Sequence, residues 1–217
     1  MKKTHLIAGA LGIVAAVLYF ASMADYAFPG ESARLMACWR GIEAPETPPY
    51  PLMAVFAALF GAGNALAPVC GAIAVAAVFL LVAAFIAWRI RDDQLQQERE
   101  VVSAVAGAVA ALVFMLTPAV RSAATHLEPR LFDFTWALLA FALAFPFMRK
   151  GGGLFWTFPP MLGAMVALGF CDSAIFVALL PLYVALVAGT AARSGRKPYM
   201  PIFVFVLFAI VVAPFAL

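Results

Sequence analysis

Two short segments hold most of the residues that could act on a substrate. The first contains Glu31, within the run Pro29-Gly30-Glu31-Ser32. A carboxylate that a Pro-Gly turn holds in partly desolvated surroundings could act as a general base toward an acceptor hydroxyl. Arg34 follows closely and could bind a phosphate through charge-assisted hydrogen bonds. The alternative is a solvated loop in which Glu31 simply pairs with a neighbouring arginine.

The second segment is dense in ionisable side chains for so apolar a chain. Its members are Arg121, His126, Glu128, Arg130 and Asp133. Ionisable residues close to a membrane are costly, so such a group is a functional hypothesis by default. The arginines could neutralise a phosphate, while the histidine and the carboxylates could position a substrate or a divalent metal. The alternative is an ion-pair cluster at the start of a helix, where an acid is favourable.

For the remaining candidates, residue type and spacing predict structural roles. Asp172 lies in a Phe-Cys-Asp-Ser run, and we expect a turn acid because Asp and Ser favour turns and helix N-caps. Cys38, Cys70 and Cys171 lack the spacing of metal ligands, and we expect free thiols. No nucleotide-binding loop, dinucleotide fingerprint or nucleophile elbow occurs. The sequence therefore predicts no certain cofactor, with a divalent metal left open.

The composition identifies the solvent for most of this chain as a lipid bilayer. Hydrophobic residues make up 66% of the 217 residues and charged residues only 12%, with a mean hydropathy of +1.02. A soluble domain carries roughly 25% charged residues. The net charge of +3 is too small to indicate nucleic acid as a partner.

We therefore predict an all-α, polytopic membrane helix bundle that forms a single membrane domain over residues 1–217. Seven apolar stretches are long enough to cross a hydrocarbon core of about 30 Å. A shorter one, 51–63, predicts an interfacial helix within an outer loop over residues 25–65. The predicted spans lie near residues 6–24, 66–88, 101–120, 132–148, 154–171, 173–191 and 199–217.

The distribution of basic residues predicts the orientation of these spans. If 51–63 lies flat on the outer face, most of the 14 Lys and Arg residues are cytoplasmic, as the positive-inside rule requires. The N-terminus is then cytoplasmic. A signal peptide cleaved near Ala24 is the alternative for the first stretch. The apolar final run suggests an N-terminal fragment. The residues placed inside are Lys2, Lys3, Arg89, Arg91, Arg99, Arg149, Lys150, Arg193, Arg196 and Lys197.

The order of these parts resembles the GT-C superfamily of membrane glycosyltransferases, and more narrowly the bacterial protein O-mannosyltransferase-like group. Residues 28–31, Phe-Pro-Gly-Glu, correspond to an Asp-Ser-Gly-Glu element after the first span of that group. Residues 46–52, Glu-Thr-Pro-Pro-Tyr-Pro-Leu, correspond to a His-Pro-Pro-Gly-Tyr-Pro-Leu element at its interfacial helix. Glu128 corresponds to a further acidic residue of that group, in the outer loop after the third span. The Asp of the group falls on Phe28 and its His on Glu46.

The resemblance implies sugar transfer from a polyprenyl-phosphate donor to a protein or glycan acceptor, at the outer face of a bacterial inner membrane. Glu31 would be the base, and Arg34, Arg121 or Arg130 would neutralise the lipid phosphate. His126 and Glu128 would position the donor or a metal. Two alternatives are a solute or lipid transporter, which needs ionisable residues near the bilayer midplane, and a non-catalytic scaffold.

Overall fold

The structure, a computed structural model, describes residues 2–23, 31–42, 50–60, 64–90, 96–150, 158–193, 195, 197 and 199–212. Within those ranges the chain forms eleven α-helices and no β-strand, which confirms the all-α prediction there. The helices are α1 Lys2–Ala21, α2 Glu31–Trp39, α3 Pro51–Phe60, α4 Leu66–Arg89, α5 Gln96–Leu116, α6 Pro118–Thr125, α7 Pro129–Lys150, α8 Phe158–Asp172, α9 Ile175–Ala178, α10 Leu180–Arg193 and α11 Tyr199–Val212.

Three of the described helices, α1, α4 and α5, are long and apolar enough to cross a membrane. They match the predicted spans at 6–24 and 66–88 and most of the one at 101–120. Helices α3, α8, α10 and α11 are also apolar but shorter. A helix rises about 1.5 Å per residue, so the 14 residues of α10 cover roughly 21 Å of a core about 30 Å thick. The chain is thus a helical membrane protein, while the count of seven spans stays a prediction.

Two predicted spans are each interrupted. The predicted span at 101–120 ends early, because α5 stops at Leu116 and α6 begins at Pro118. Proline lacks an N–H and disfavours helical geometry in the residue before it, and Thr117 is accordingly extended, with ψ 127°. The span predicted at 173–191 is divided at Leu179 into α9 and α10. Each of these two ranges therefore contains more than one helix.

Helix α2 lies within residues 25–65, where the sequence predicts an outer loop and no helix before residue 51. Ser32, Leu35 and Met36 are buried, and their spacing of three and four residues places them on one side of the helix. The helix ends in a Schellman motif, in which the Ile42 N–H donates to the Ala37 carbonyl at 2.9 Å. Gly41 supplies the left-handed residue that this motif needs, with φ 69°. The predicted helix within 51–63 is confirmed as α3, and its interfacial position stays a prediction.

The chain divides into two compact units, and the division falls within α3 and within α7. Unit 1 comprises Met1–Glu46 and Phe56–Leu138, and unit 2 comprises Thr47–Val55 and Leu139–Leu217. Unit 1 contains the three long apolar helices. The single membrane domain over residues 1–217 stays a prediction.

Helix α4 lies at the centre of unit 1, packed against both α1 and α5. Of an 18-residue stretch of α4, 44% is buried inside the chain, against 22% in α1 and in α5. Close packing depends on small residues. A Cβ on Gly71 would lie 2.7 Å from Ala124 Cβ and 2.8 Å from Tyr19 Cε2, so only glycine fits between α1 and α6.

The outward sides of α1 and α5 are apolar. On α1, Leu6 is 72% exposed and Ile13 68%, and on α5 Val113 is 64% exposed. Water would leave such continuous apolar surfaces unstable, whereas lipid tails solvate them well. The exposed surface of unit 1 therefore supports the same conclusion as the lengths of its helices.

Unit 2 is held together chiefly by the packing of α8 on α11, with α10 also against α11. Tyr183 and Phe205 are fully buried there. The ring of Tyr183 stacks on Phe141, with ring centroids 4.6 Å apart. Gly163 of α8 lies directly against α11, because a Cβ at this position would overlap the Phe205 carbonyl oxygen and lie 3.2 Å from the Ala209 nitrogen.

We predict that Gly163→Ala lowers the free energy of unfolding by about 1–3 kcal/mol, the usual effect of overpacking a tight interface. The added methyl group meets backbone atoms of α11, which cannot rotate away as a side chain can. Thermal unfolding of the purified protein in detergent measures the change.

Gly189→Ala is the matched control, since a Cβ on Gly189 meets no atom within 4 Å. Alanine is the better helix former, so this variant should unfold at the same temperature as the native chain or slightly higher. Equal destabilisation by the two substitutions would contradict the packing of α8 on α11.

Candidate functional site

One end of unit 1 brings together the C-terminal ends of α1 and α5, the start of α4, and α6. The contact that joins α1 to α5 is a buried hydrogen bond in which the Tyr19 hydroxyl donates to the Met115 carbonyl at 2.9 Å. Met115 belongs to the last turn of α5, whose carbonyls have no partner within the helix. Tyr19 therefore supplies from α1 the donor that this turn lacks.

Arg121 is exposed on α6, at this same end of the unit. It lies near enough for its charge to act on the Tyr19 hydroxyl. The backbone on either side of the break at Thr117 is well bonded, because the Thr117 hydroxyl donates to the Val113 carbonyl at 2.7 Å and the Arg121 N–H donates to the Thr117 carbonyl at 2.9 Å. The backbone that carries Arg121 is thus held by the way α5 passes into α6.

The turn after α6 is fixed to the start of α4. His126 is extended, with φ −130° and ψ 152°, so the Leu127 N–H has no helical acceptor. That N–H donates instead to Asn64 Oδ1 at 3.1 Å, and the bond is buried. Leu127 is 1% exposed and Asn64 7% exposed, so water does not compete for either group. The turn that carries His126 and Glu128 is therefore held by a residue far away in the chain.

His126 is bonded back to α6 through its Nδ1 atom. This nitrogen lies 2.8 Å from the Ser122 carbonyl oxygen and 3.1 Å from the Thr125 hydroxyl oxygen. A carbonyl oxygen can only accept, so Nδ1 is the donor in the bond to Ser122. Thr125 is buried and its hydroxyl also reaches the Arg121 carbonyl at 3.0 Å.

The other three predicted residues of this segment lie around the start of α7. The Glu128 carbonyl accepts the Leu131 N–H at 3.1 Å, and Glu128 is half-buried just before Pro129, a favoured first residue of a helix. Arg130 is exposed. Asp133 is 7% exposed and has an interaction partner. A buried acid so close to a helix start fits an ion-pair cluster at that helix start as well as it fits a substrate-binding group.

Aromatic rings from α3 pack beside this start of α7. Phe56 lies 5.6 Å from Phe132 and 5.8 Å from Trp136, measured between ring centroids. Phe132 and Trp136 themselves stack at 6.3 Å. Such tilted and offset contacts are favourable beyond their area of burial. They fix the second half of α3 against the helix that carries Arg130 and Asp133.

The two candidates of the first segment, Glu31 and Arg34, lie on α2. Glu31 is the first residue of this helix, and its side chain lies outside the described part of the structure. Arg34 is exposed, one turn further along α2. The segment 121–133 brings five predicted residues together along the chain, and the meeting of Glu31 with them stays a prediction.

Asp172 is a helix cap, although the helix it caps is not its own. Its two carboxylate oxygens accept the N–H groups of Leu52 at 2.7 Å and of Met53 at 2.8 Å, in the first turn of α3. Burial raises the pKa of the Asp172 carboxyl above its ordinary value. The two N–H bonds favour the charged form and offset only part of that rise. The prediction of a local turn acid is corrected to a cap between α8 and α3.

No group of three or more His, Cys, Asp or Glu side chains that could hold a metal ion occurs among the described residues. The metal requirement therefore stays open. Cys38, Cys70 and Cys171 are free thiols, as predicted.

Tyr19 and Asn64 were not singled out from the sequence, yet they hold this end of unit 1 together. Each carried a weak signal. Tyr19 is a hydroxyl within an apolar run, and Asn64 is a polar residue immediately before one. Neither signal names a partner, because the partners lie 96 and 63 residues away along the chain.

Comparison with known proteins adds no family to these observations, because no family model, curated protein or solved structure matches the chain.

We predict that Tyr19→Phe lowers the free energy of unfolding by about 1–3 kcal/mol, since it leaves the buried Met115 carbonyl without its donor. Tyr183→Phe is the matched control, because the Tyr183 hydroxyl is buried and has no hydrogen-bond partner within the described ranges. That control should be neutral or stabilising. Thermal unfolding in detergent compares them, and a larger loss in Tyr183→Phe would contradict the assignment.

We predict that Asp172→Ala lowers the free energy of unfolding by about 1–2 kcal/mol, as loss of an N-cap does. Asp172→Asn should lower it less, because the amide keeps one acceptor oxygen and removes the charge whose burial raises the pKa of this group. Unfolding in detergent at neutral pH measures both. Equal stability of the alanine variant and the native chain would show that water caps α3 as well as the carboxylate does.

Proposed function

We propose that this protein is a membrane glycosyltransferase, which moves a sugar from a polyprenyl-phosphate donor to a hydroxyl of a protein or glycan acceptor. One observation carries the proposal. The hydrogen bond that the Leu127 N–H donates to Asn64 holds the segment with Arg121, His126 and Glu128 at the end of unit 1 where the Tyr19 hydroxyl joins α1 to α5. Cations and carboxylates beside the end of apolar helices suit a substrate with a lipid tail, a phosphate and hydroxyl groups.

The proposal includes the finer topology. Seven spans would form a GT-C-like bundle in a bacterial inner membrane. The N-terminus would lie in the cytoplasm and the site would face outward, with α3 at the interface. The distribution of basic residues supports this orientation.

Each candidate residue has a role in the proposed reaction. Glu31 takes the proton of the acceptor hydroxyl as its oxygen attacks the anomeric carbon, and the bond from that carbon to the phosphate oxygen breaks. Arg34, Arg121 or Arg130 neutralises the lipid phosphate that leaves. His126 and Glu128 hold the sugar, or a metal if one is required, and Asp133 supports the segment from its buried position.

Transport is less well supported than transfer. A transporter needs ionisable residues near the bilayer midplane. The α4 stretch Leu66–Trp88 contains no Asp, Glu, Lys, Arg or His, and in α1 and α5 the residues of these types within the candidate spans lie at the helix starts. A scaffold role requires none of these residues. The transfer assay described next distinguishes it from catalysis.

We predict that Glu31→Gln lowers the transfer rate about 10²–10⁴-fold, the usual contribution of a general base, without weakening donor binding. The full chain is reconstituted in liposomes with a radiolabelled polyprenyl-phosphate sugar and a hydroxyl-rich acceptor peptide. Glu98→Gln is the control, because Glu98 is an exposed acid in the first turn of α5, at the opposite end of that helix. It should transfer sugar at the native rate.

Full transfer by a double variant, Glu31→Gln with Glu128→Gln, would overturn the assignment of both carboxylates. A native chain that binds no polyprenyl phosphate and transfers no sugar would favour a scaffold instead.

A further inference from the structure

One side of α2 carries two polar groups that are buried without a hydrogen-bond partner. They are the Ser32 hydroxyl and the Trp39 indole N–H, and neither meets a donor or acceptor within the ranges that the structure describes. Ser32 is only 8% exposed. Burying a polar group unpaired costs free energy, so such a group in a native structure calls for an explanation, and a ligand that completes the bonding is one.

Helix geometry places the two groups on the same side of α2. Ser32 and Trp39 are seven residues apart, close to two full turns, and the buried Leu35 and Met36 lie on the side between them. A long helical side chain leans toward the N-terminus of its helix, so we expect the Trp39 ring to cover the turn that leads back toward Ser32. The Arg40 N–H donates to the Met36 carbonyl at 3.0 Å, which holds the last turn of α2 in helical geometry.

The chemistry of the two groups fits a sugar. An indole N–H only donates, whereas a hydroxyl both donates and accepts. A sugar offers oxygen acceptors to both groups and a hydroxyl hydrogen to Ser32, and its C–H face packs against an aromatic ring. A phosphate only accepts and has no apolar face, and it suits Arg34, which is exposed on the opposite side of α2. Trp39 is half-buried, so part of this residue stays accessible to a ligand.

We infer that Ser32 and Trp39 form a subsite for the sugar of the polyprenyl-phosphate donor and bond its hydroxyl groups. The inference rests on the proposed function, which supplies the donor. Glu31 directly precedes Ser32 at the start of α2. A sugar on this side of the helix would thus lie beside the residue proposed as the general base.

The Tyr183 hydroxyl is also buried and unpaired, but it stands alone. It belongs to α10 in unit 2, its ring stacks on Phe141, and no second unpaired side chain occurs among the described residues of α10. On α2 two unpaired groups share one side, next to Glu31. This pairing, rather than a missing partner at a single atom, carries the inference.

Lipid binding by the full chain in detergent tests the subsite. The probes are polyprenyl-phosphate mannose, polyprenyl-phosphate glucose and polyprenyl phosphate without a sugar. The native chain should bind one of the sugar-bearing lipids about tenfold more tightly than the bare phosphate, because only a sugar bonds Ser32 and Trp39. With ¹⁵N in the indoles, the Trp39 N–H resonance, identified by its loss in Trp39→Phe, should shift with that lipid and not with the bare phosphate. Trp88, at the far end of α4, is the internal reference.

Ser32→Ala and Trp39→Phe should each reduce the preference for the sugar-bearing lipid about 3–10-fold and leave binding of bare polyprenyl phosphate unchanged. In the transfer assay each should raise KM for the donor by the same factor, with little change in kcat. Without ligand both variants should unfold at the native temperature or above it, since each removes a buried polar group that has no partner. Ser103→Ala is the matched control, because the Ser103 hydroxyl is buried near the start of α5 and donates to the Glu100 carbonyl at 3.1 Å. It should keep the full preference.

The outcomes distinguish the subsite from the reaction. A native chain that binds the sugar-bearing lipids no more tightly than bare polyprenyl phosphate overturns the inference. A preference that persists in both variants overturns it too, and so do variants that unfold at a lower temperature yet bind as the native chain does. A native chain that shows the preference, loses it in both variants and transfers no sugar overturns glycosyl transfer and leaves the subsite intact.

Discussion

The described fold depends on one constraint, which is that backbone groups freed where a helix breaks must find partners inside the protein when lipid replaces water. Three breaks meet this constraint in the same way. Tyr19 donates to the last turn of α5, Asn64 accepts from the turn after α6, and Asp172 accepts from the first turn of α3. In each case the partner comes from a distant part of the chain, so satisfying the backbone also joins the helices.

The candidate site follows from two of these breaks. A continuous helix through residues 101–130 would spread its polar side chains around a cylinder. Instead, the interruptions at Thr117 and His126 turn the chain at one end of unit 1 and keep Arg121, His126 and Glu128 within a short anchored segment. The polar residues most suited to chemistry therefore lie where the backbone departs from helical geometry, and the same bonds that satisfy the backbone orient them.

Hydropathy predicted most helices because both the lipid-facing and the buried sides of α1, α4 and α5 are apolar. Pro118 indicates a kink, but proline is tolerated in membrane helices, so it does not by itself predict that a helix ends there. Helix α2 showed its buried side in the spacing of Ser32, Leu35 and Met36. The partners of Asp172 and Asn64 could not be predicted, because a cap from another helix depends on how helices pack and leaves no local pattern. Charge density alone identified the segment at 121–133, and it says nothing of the residues that hold the segment in place.

The central position of α4 has a consequence for how the protein is made. It is the most apolar of the three long helices and also the one most enclosed by its neighbours. A segment so apolar should enter the bilayer without contacts from other helices and remain there as a single span. Helix α1, already synthesised, and α5, still emerging from the ribosome, would then assemble on its two sides. The segment with Arg121 would thus take its final position only after the third long helix has arrived.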